Sequence, residues 1–436
     1  MDTPPRGAPP ATVTPESGPG HHPTTQDVPP RGDGPILICA GGGQHQPLPG
    51  PADLRRYVVY QVVASVRFTG AIWVIFLADR GLSIGQIGLA EACFHLAPLT
   101  LELPTGSLAD IVGRKWSLAI GSLLGVASSL LMLAVNDVWL ALVAMYLAGA
   151  AFTFESGAQQ AFVYDSLAAG GGADRFSRVF GRLLSLSFLV IGATAWLGGV
   201  LADVSFAWPY ALSAAFAALG AWLAAGLPEP ARAPLLHRSL RRTIGEALVL
   251  VRGTPRLAAL LLFGSVFWTA VALIELYAQA VLAGIGLAPS MVGLLIGGSL
   301  VLVAAGAWVG HRVTSRGSFR GWTIGLAALT AIGALGMGSE VLAIAVVTLL
   351  VFQFGTGLYE PFLADRVNRD VAAPRRATIL SLQGFLYSLN MVWAFPLVGW
   401  VAERAGWLVA FSGVIAVLGL ALVAWLVVDR RGDRTG

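Results

Sequence analysis

From Tyr57 onward the chain alternates long apolar stretches with short polar loops. A helix needs roughly 20 mostly apolar residues to cross a ~30 Å hydrocarbon layer. Twelve stretches meet that requirement: 57–78, 85–108, 116–135, 139–160, 180–201, 207–226, 257–282, 289–309, 321–337, 341–362, 377–401 and 407–428. The longest gap, Leu227 to Arg256, divides them six and six. The pattern predicts an all-α polytopic membrane protein of twelve transmembrane helices. It has an N-terminal six-helix bundle over 53–226, a central loop over 227–256, a C-terminal bundle over 257–429 and a short tail over 430–436. Residues 1–52 hold 13 of the 24 prolines and nine glycines, and cannot bury enough apolar surface to offset their ordering entropy. They read as a disordered tail, without the 7–15-residue apolar run of a signal peptide.

Composition sharpens this picture. The chain is 56% apolar and 12% charged, with a mean hydropathy of +0.72. Soluble domains carry about 25% charged residues, so a soluble enzyme, a nucleic-acid binder and a disordered chain are all excluded. Two cysteines, Cys39 and Cys93, are too few for a disulfide framework or a zinc or iron–sulfur site. Basic residues report orientation, because cytoplasmic loops retain them. Apart from Arg67 inside a span, Arg80 and Arg404 in alternate loops, and Arg6 and Arg31 in the tail, they all map to one side. The opposite loops carry Asp79, Asp137, Asp203, Glu340 and Glu403. Both termini are therefore expected in the cytoplasm. In the central loop, Leu240, Ile244, Ala247, Leu248 and Val251 share one helical face, as in a helix lying at the membrane interface. A connector tethering the two halves is its expected role. A single lysine among 28 basic residues, with abundant Ala and Gly, points to a GC-rich bacterial source and hence a bacterial inner membrane.

The two halves resemble each other. A shift of 200 residues aligns FESGAQQAFVYD (154–165) with FGTGLYEPFLAD (354–365), and pairs Gly199 with Gly399 and Asp203 with Glu403. Near a shift of 205, Gly88-Leu89 meets Gly293-Leu294, and Gly106 with Gly113 meets Gly310 with Gly317. Repeats of this kind build secondary transporters around a site at the repeat interface near the bilayer midplane.

The loop after the second span reads GSLADIVGRKW from Gly106. This resembles the Gly-x-x-x-Asp-x-x-Gly-Arg-Lys motif of the major facilitator superfamily, with Gly106, Asp110, Gly113, Arg114 and Lys115 in place. Gly106 permits close helix packing, Gly113 a tight turn, and Asp110 with Arg114 charge-assisted bonds that latch one conformation. The resemblance implies a cytoplasmic gate that stabilises the outward-open state, and a cavity lined by the first, fourth, seventh and tenth spans. Arg67, Glu155, Glu275 and Glu360 fall on those spans. The second-half counterpart, Gly310 to Arg320, lacks both the acid and the Gly-Arg-Lys ending. The fourth span has no arginine, and Thr194-Ala195 stands where antiporters of the family often carry Gly-Pro. The first half looks like bacterial members often labelled drug transporters.

An ionisable residue in a spanning helix costs about 2.5–3.5 kcal/mol, so it usually faces a cavity or a partner. Glu91, His95 and Glu102 share one stripe of the second span, at depths of about 9, 15 and 26 Å from Gly85. Arg67 lies at similar depth, ~15 Å, on the first span. Glu275 lies on the seventh. Glu91 and Glu275 are the expected proton carriers, with Arg67 modulating them; the alternative is a permanent Arg67–glutamate pair that only holds helices together. His95 is either a proton-titrating group or a hydrogen-bonded packing residue. Glu102 reads as part of the cytoplasmic latch. Glu155 and Glu360 are expected to pair with the loop arginines Arg175, Arg178, Arg366 and Arg369. Trp268, Tyr277, Tyr387 and Trp393 are candidates for a substrate wall, Gln383 and Asn390 for polar contacts, and Pro396 for a bend.

There is no phosphate-cradling Gly-x-x-x-x-Gly-Lys, no zinc pattern and no nucleophile elbow. The expectation is a monomeric, cofactor-free transporter of a small molecule, driven by the proton gradient. Proton-coupled export of an apolar or cationic compound comes first, and uptake of a nutrient or organic anion anchored by Arg67 second. A transport-inactive membrane sensor or partner-binding protein is the rival from another class.

Overall fold

The computed structural model describes residues 51–169, 172, 175–229, 253–314, 318–370 and 373–433, with the backbone alone for 51–53, 102–111, 311–314, 432–433 and most of 360–380. The expected tail and the central amphipathic helix lie outside the described residues. The side chains of Glu102, Asp110 and Glu360 lie outside them too, and Gly106 is described by its backbone only.

Among the described residues, thirteen helices follow one another: α1 (Pro51–Ala64), α2 (Trp73–Asp79), α3 (Ile84–Val112), α4 (Arg114–Leu133), α5 (Val138–Ala169), α6 (Phe176–Val204), α7 (Ala207–Ala225), α8 (Pro255–Gly284), α9 (Pro289–Thr314), α10 (Phe319–Gly338), α11 (Leu342–Asp370), α12 (Ala373–Ala405) and α13 (Trp407–Asp433). Among the described residues, eleven are long and apolar enough to cross a membrane. The twelfth crossing, expected as one helix over 57–78, is built instead from α1 and α2 with an unwound stretch at 65–72 between them. Unwound backbone in an apolar layer must find partners, and here side chains from both halves supply them. The Arg67 N–H donates to Thr194 Oγ1 (3.0 Å), the Val74 N–H to Gln279 Oε1 (3.2 Å), and Gln279 Nε2 donates to the Gly70 carbonyl (3.1 Å). A Cβ at Gly198 would collide with the Phe68 backbone, so that glycine is what lets α6 press against the break.

The two halves meet through α3 with α12, α6 with α9, and α2 with α8. The repeat glycines carry the first two contacts. A Cβ on Gly88 would lie 2.7 Å from the Tyr277 hydroxyl and 2.8 Å from the Phe395 carbonyl, and one on Gly293 2.7 Å from the Ala195 carbonyl. Gly199 and Gly399 make equally close approaches, to Pro289 and to Tyr277 with Ile84. Tyr277, considered for a substrate wall, instead donates its hydroxyl to the Phe395 carbonyl (2.8 Å) beside Pro396.

The paired acids close the same side. Glu403 accepts from the Gly85 N–H at the start of α3 (2.8 Å), and Asp203 from the Ser290 N–H at the start of α9 (3.1 Å). Each acid belongs to one half and each helix start to the other, so the acidic-loop side is held shut by two symmetry-related caps. At the exposed surface such a carboxylate–helix contact contributes about 0.5 kcal/mol. The Asp203→Ala, Glu403→Ala double variant is expected to raise the open population of this side roughly fivefold, since the two losses sum to about 1 kcal/mol. Spin labels at D137C and E340C, both in exposed loops of that side, read the change as a longer distance.

At the opposite side Gly113 takes φ 120°, a conformation that demands glycine, between α3 and α4. The N-terminus of α4 is capped by Glu229, which accepts from the N–H groups of Arg114 (2.6 Å) and Lys115 (3.2 Å). The symmetry-related Asp429 pairs with Arg320 at the start of α10. The second half thus keeps an acid at the matching helix start, there paired with the Arg320 side chain rather than with backbone N–H groups, although it lacks the Gly-Arg-Lys motif.

Candidate functional site

A cavity of about 310 Å³ opens inside the N-terminal half, walled by the α1–α2 break, α3, α4, α5 and α7, with Leu276 of α8 at its edge. Three of its lining residues are acidic or basic: Arg67, Glu91 and Glu155. The break in the first span is what presents Arg67 there, since Thr194 holds its backbone.

Arg67 pairs with Glu155 at 3.9 Å, with the arginine side chain 50% exposed and the glutamate 12%. Glu155 also accepts from the Ser122 hydroxyl (3.3 Å). Gly121 on α4 makes room for it, because a Cβ there would lie 2.7 Å from the Glu155 Cγ. The expected pairing of Glu155 with Arg175 or Arg178 is corrected by this geometry. Glu155 lies deeper in α5 than its place near the end of the apolar stretch implied, because α5 continues to Ala169.

Glu91 pairs with His95 one helical turn away, Oε1 to Nε2 at 3.3 Å, with both side chains 8% exposed. The His95 ring meets Tyr387 of α12 edge-on, with centroids 5.3 Å apart. Tyr387 lies within electrostatic reach of both Glu91 and Glu275. The dyad thus stands where the two halves touch. Glu275 lies beyond the cavity wall, near Gln353, whose amide donates to Ser299 (2.9 Å). The structure therefore brings Arg67, Glu91 and His95 together near one cavity and sets Glu275 in a separate polar cluster of the C-terminal half.

In the gating motif, Arg114 is buried and pairs with Asp165 of α5 at 3.7 Å. Lys115 lies over the Trp116 ring, 5.4 Å from its centroid. Asp165 had appeared in the sequence only as a repeat position. A lone acid near the end of a span, on the same side as the motif arginine, is the signal that could have found it.

The aromatic candidates go elsewhere. Trp268 packs edge-on to Tyr359, and Trp393 is half-exposed on an apolar groove of α8, α12 and α13. Asn390 donates to Ser265 (3.3 Å). The cavity wall uses Trp73, Phe94, Phe152 and Tyr210 instead. Sequence reasoning missed Tyr210 and Ser213, two polar residues three apart in an otherwise apolar stretch of α7.

The comparisons agree with this architecture. A 242-residue stretch is 24% identical to an uncharacterized MFS-type transporter, YxaM, of Bacillus subtilis (strain 168), covering 53% of this chain and 59% of that relative. The chain therefore spans less than two thirds of that relative's length. Among solved structures, the nucleoside transporter NupG superposes with a TM-score of 0.65 at 13% identity, over 86% of this chain and 98% of that one. A D-xylose-proton symporter superposes with a TM-score of 0.62 at 16% identity, over 86% and 97%. At such identities the likeness is one of fold. The family profile described as Major Facilitator Superfamily matches residues 59–395, and the chain, with its multiple membrane-spanning helices, belongs to that superfamily.

Proposed function

We propose that the protein is a proton-coupled secondary transporter without a bound cofactor, working by alternating access, with Glu91 and His95 as its proton-binding pair. The observation that carries this reading is the buried dyad at the junction of the halves, one of its members on the wall of the polar cavity. A carboxylate and an imidazole in contact hold one proton more or one less with little rearrangement. That change alters the charge facing the cavity and the partner half. In one loading state the halves close at the acidic loops, as seen; in the other they close at the basic side, around Gly113 and Arg114. Positive-inside placement makes the basic side cytoplasmic.

Uptake of an anionic substrate together with protons is the first reading, supported by Arg67 as the most exposed charge on the cavity wall. Export of a cationic or apolar compound is the second reading, supported by the two carboxylates on the same wall. Inverted membrane vesicles with an acid interior and a pH-sensitive dye decide between them. A substrate panel of organic acids, organic cations and neutral drugs is expected to move protons in the wild type and not in Glu91→Gln. Proton movement with an intact response in Glu91→Gln would remove the dyad from the mechanism.

A further inference from the structure

We propose that the cavity binds a small hydroxylated organic acid, its carboxylate on Arg67 and its hydroxyls against Tyr210 and Ser213. This deepens the transport reading above and rests on it. Charge exposure is the first reason. The Arg67 side chain is 50% exposed while Glu155 and Glu91 are 12% and 8%, so the most exposed charge on the wall is positive. Guanidinium offers five N–H donors in a fork matched to a carboxylate. The Glu155 oxygen, at 3.9 Å, lies beyond hydrogen-bond length.

Unanswered hydroxyls are the second reason. Ser122 and Ser128 on the wall are already committed, to Glu155 (3.3 Å) and to the Ala144 carbonyl (2.8 Å). The Tyr210 Oη and Ser213 Oγ, both of residues on the wall, have no hydrogen-bond partner among the described residues. Tyr210 is 2% exposed, and a buried hydroxyl is normally bonded. Three residues apart on α7, the two share one face. They lie nearer the acidic-loop end of the cavity than Arg67, and so form a second pole for an elongated ligand. The volume of about 310 Å³ is roughly ten times that of a water in the liquid, ~30 Å³. It suits a compound of on the order of ten to fifteen non-hydrogen atoms. Phe94, Met145 and Phe152 cover its carbon skeleton.

The test uses the purified full-length chain in detergent, and thermal unfolding with linear hydroxy acids of three to seven carbons, including gluconate, each beside its neutral amide and its amine. At least one acid is expected to raise the unfolding temperature, with its amide and amine inert. Arg67→Gln should abolish the shift and Arg67→Lys weaken binding about tenfold, because an ammonium lacks the fork. Tyr210→Phe with Ser213→Ala should weaken binding of hydroxylated acids about tenfold and leave an unhydroxylated acid of equal length unaffected. Silence from every acid means the cavity holds water only and overturns the proposal. A shift from the amines, or one that survives Arg67→Gln, does so too. Proton movement driven by cations and lost in Glu91→Gln would overturn this inference and keep the transport reading. Acid binding at Arg67 without any proton movement would do the reverse.

Discussion

Changing Glu91 to glutamine is expected to cut gradient-driven accumulation by more than an order of magnitude while leaving counterflow exchange within about twofold. Glutamine keeps the shape and an oxygen that accepts from His95, but it cannot gain or lose a proton. Exchange needs only that the loaded protein change sides, whereas accumulation needs a proton to be carried and released. Equal loss of both in a folded protein would mean that Glu91 merely holds α3 against α12. Glu275→Gln is the matched comparison, since both glutamates lie within reach of Tyr387. Near Gln353 and off the cavity wall, Glu275 is expected to tolerate the change with coupling intact. The opposite pattern would transfer the proton to the C-terminal half.

Glycine-to-valine changes are expected to split by location. Gly88 and Gly293 pack against the other half, where an added Cβ would lie 2.7 Å from the Tyr277 hydroxyl and from the Ala195 carbonyl respectively. Gly149 packs within its own half, where a Cβ would meet the Phe94 backbone and lie 3.0 Å from the Ala97 Cβ. In an alternating transporter these two contacts on the acidic side form only when that side is shut, so Gly88→Val and Gly293→Val should leave a folded protein trapped open there. Gly149→Val strains every state, and overpacking costs about 1–3 kcal/mol. Size-exclusion yield should stay near wild type for the first two and fall for the third. Transport should drop by more than an order of magnitude in all three. Normal transport by Gly293→Val would show that α6 and α9 do not close as rigid surfaces.

The course of the fold was open to reading because a membrane imposes it. Twelve apolar stretches, one long loop and one-sided arginines leave little freedom in topology. The repeat shifts even selected the right pairs: Gly88 with Gly293, Gly199 with Gly399 and Asp203 with Glu403 all recur at the contacts between halves. The break at 65–72 was not legible, because the residues that satisfy its backbone, Thr194 and Gln279, come from distant helices. The site was legible in part. Equal depth put Arg67 and His95 in one layer, and spacing put Glu91 beside His95. Which carboxylate meets Arg67 depended on helix rotation, which one-dimensional spacing does not contain, and so Glu155 was assigned to loop arginines. Tyr210 and Ser213 stand out only once their hydroxyls are seen to lack partners.

The central claim is that the two halves alternate, and distances between spin labels on both sides test it most directly. One pair, D137C with E340C, reports the acidic side; another, R178C with S381C, reports the basic side, all at exposed positions on a background in which both native cysteines, Cys39 and Cys93, are changed to serine. The account predicts two populations for each pair, the short distance of one side accompanying the long distance of the other. Glu91→Gln should fix their ratio against changes of pH that shift it in the wild type. One unchanging distance on each side, in protein shown to be folded, would contradict alternating access and leave a static membrane protein.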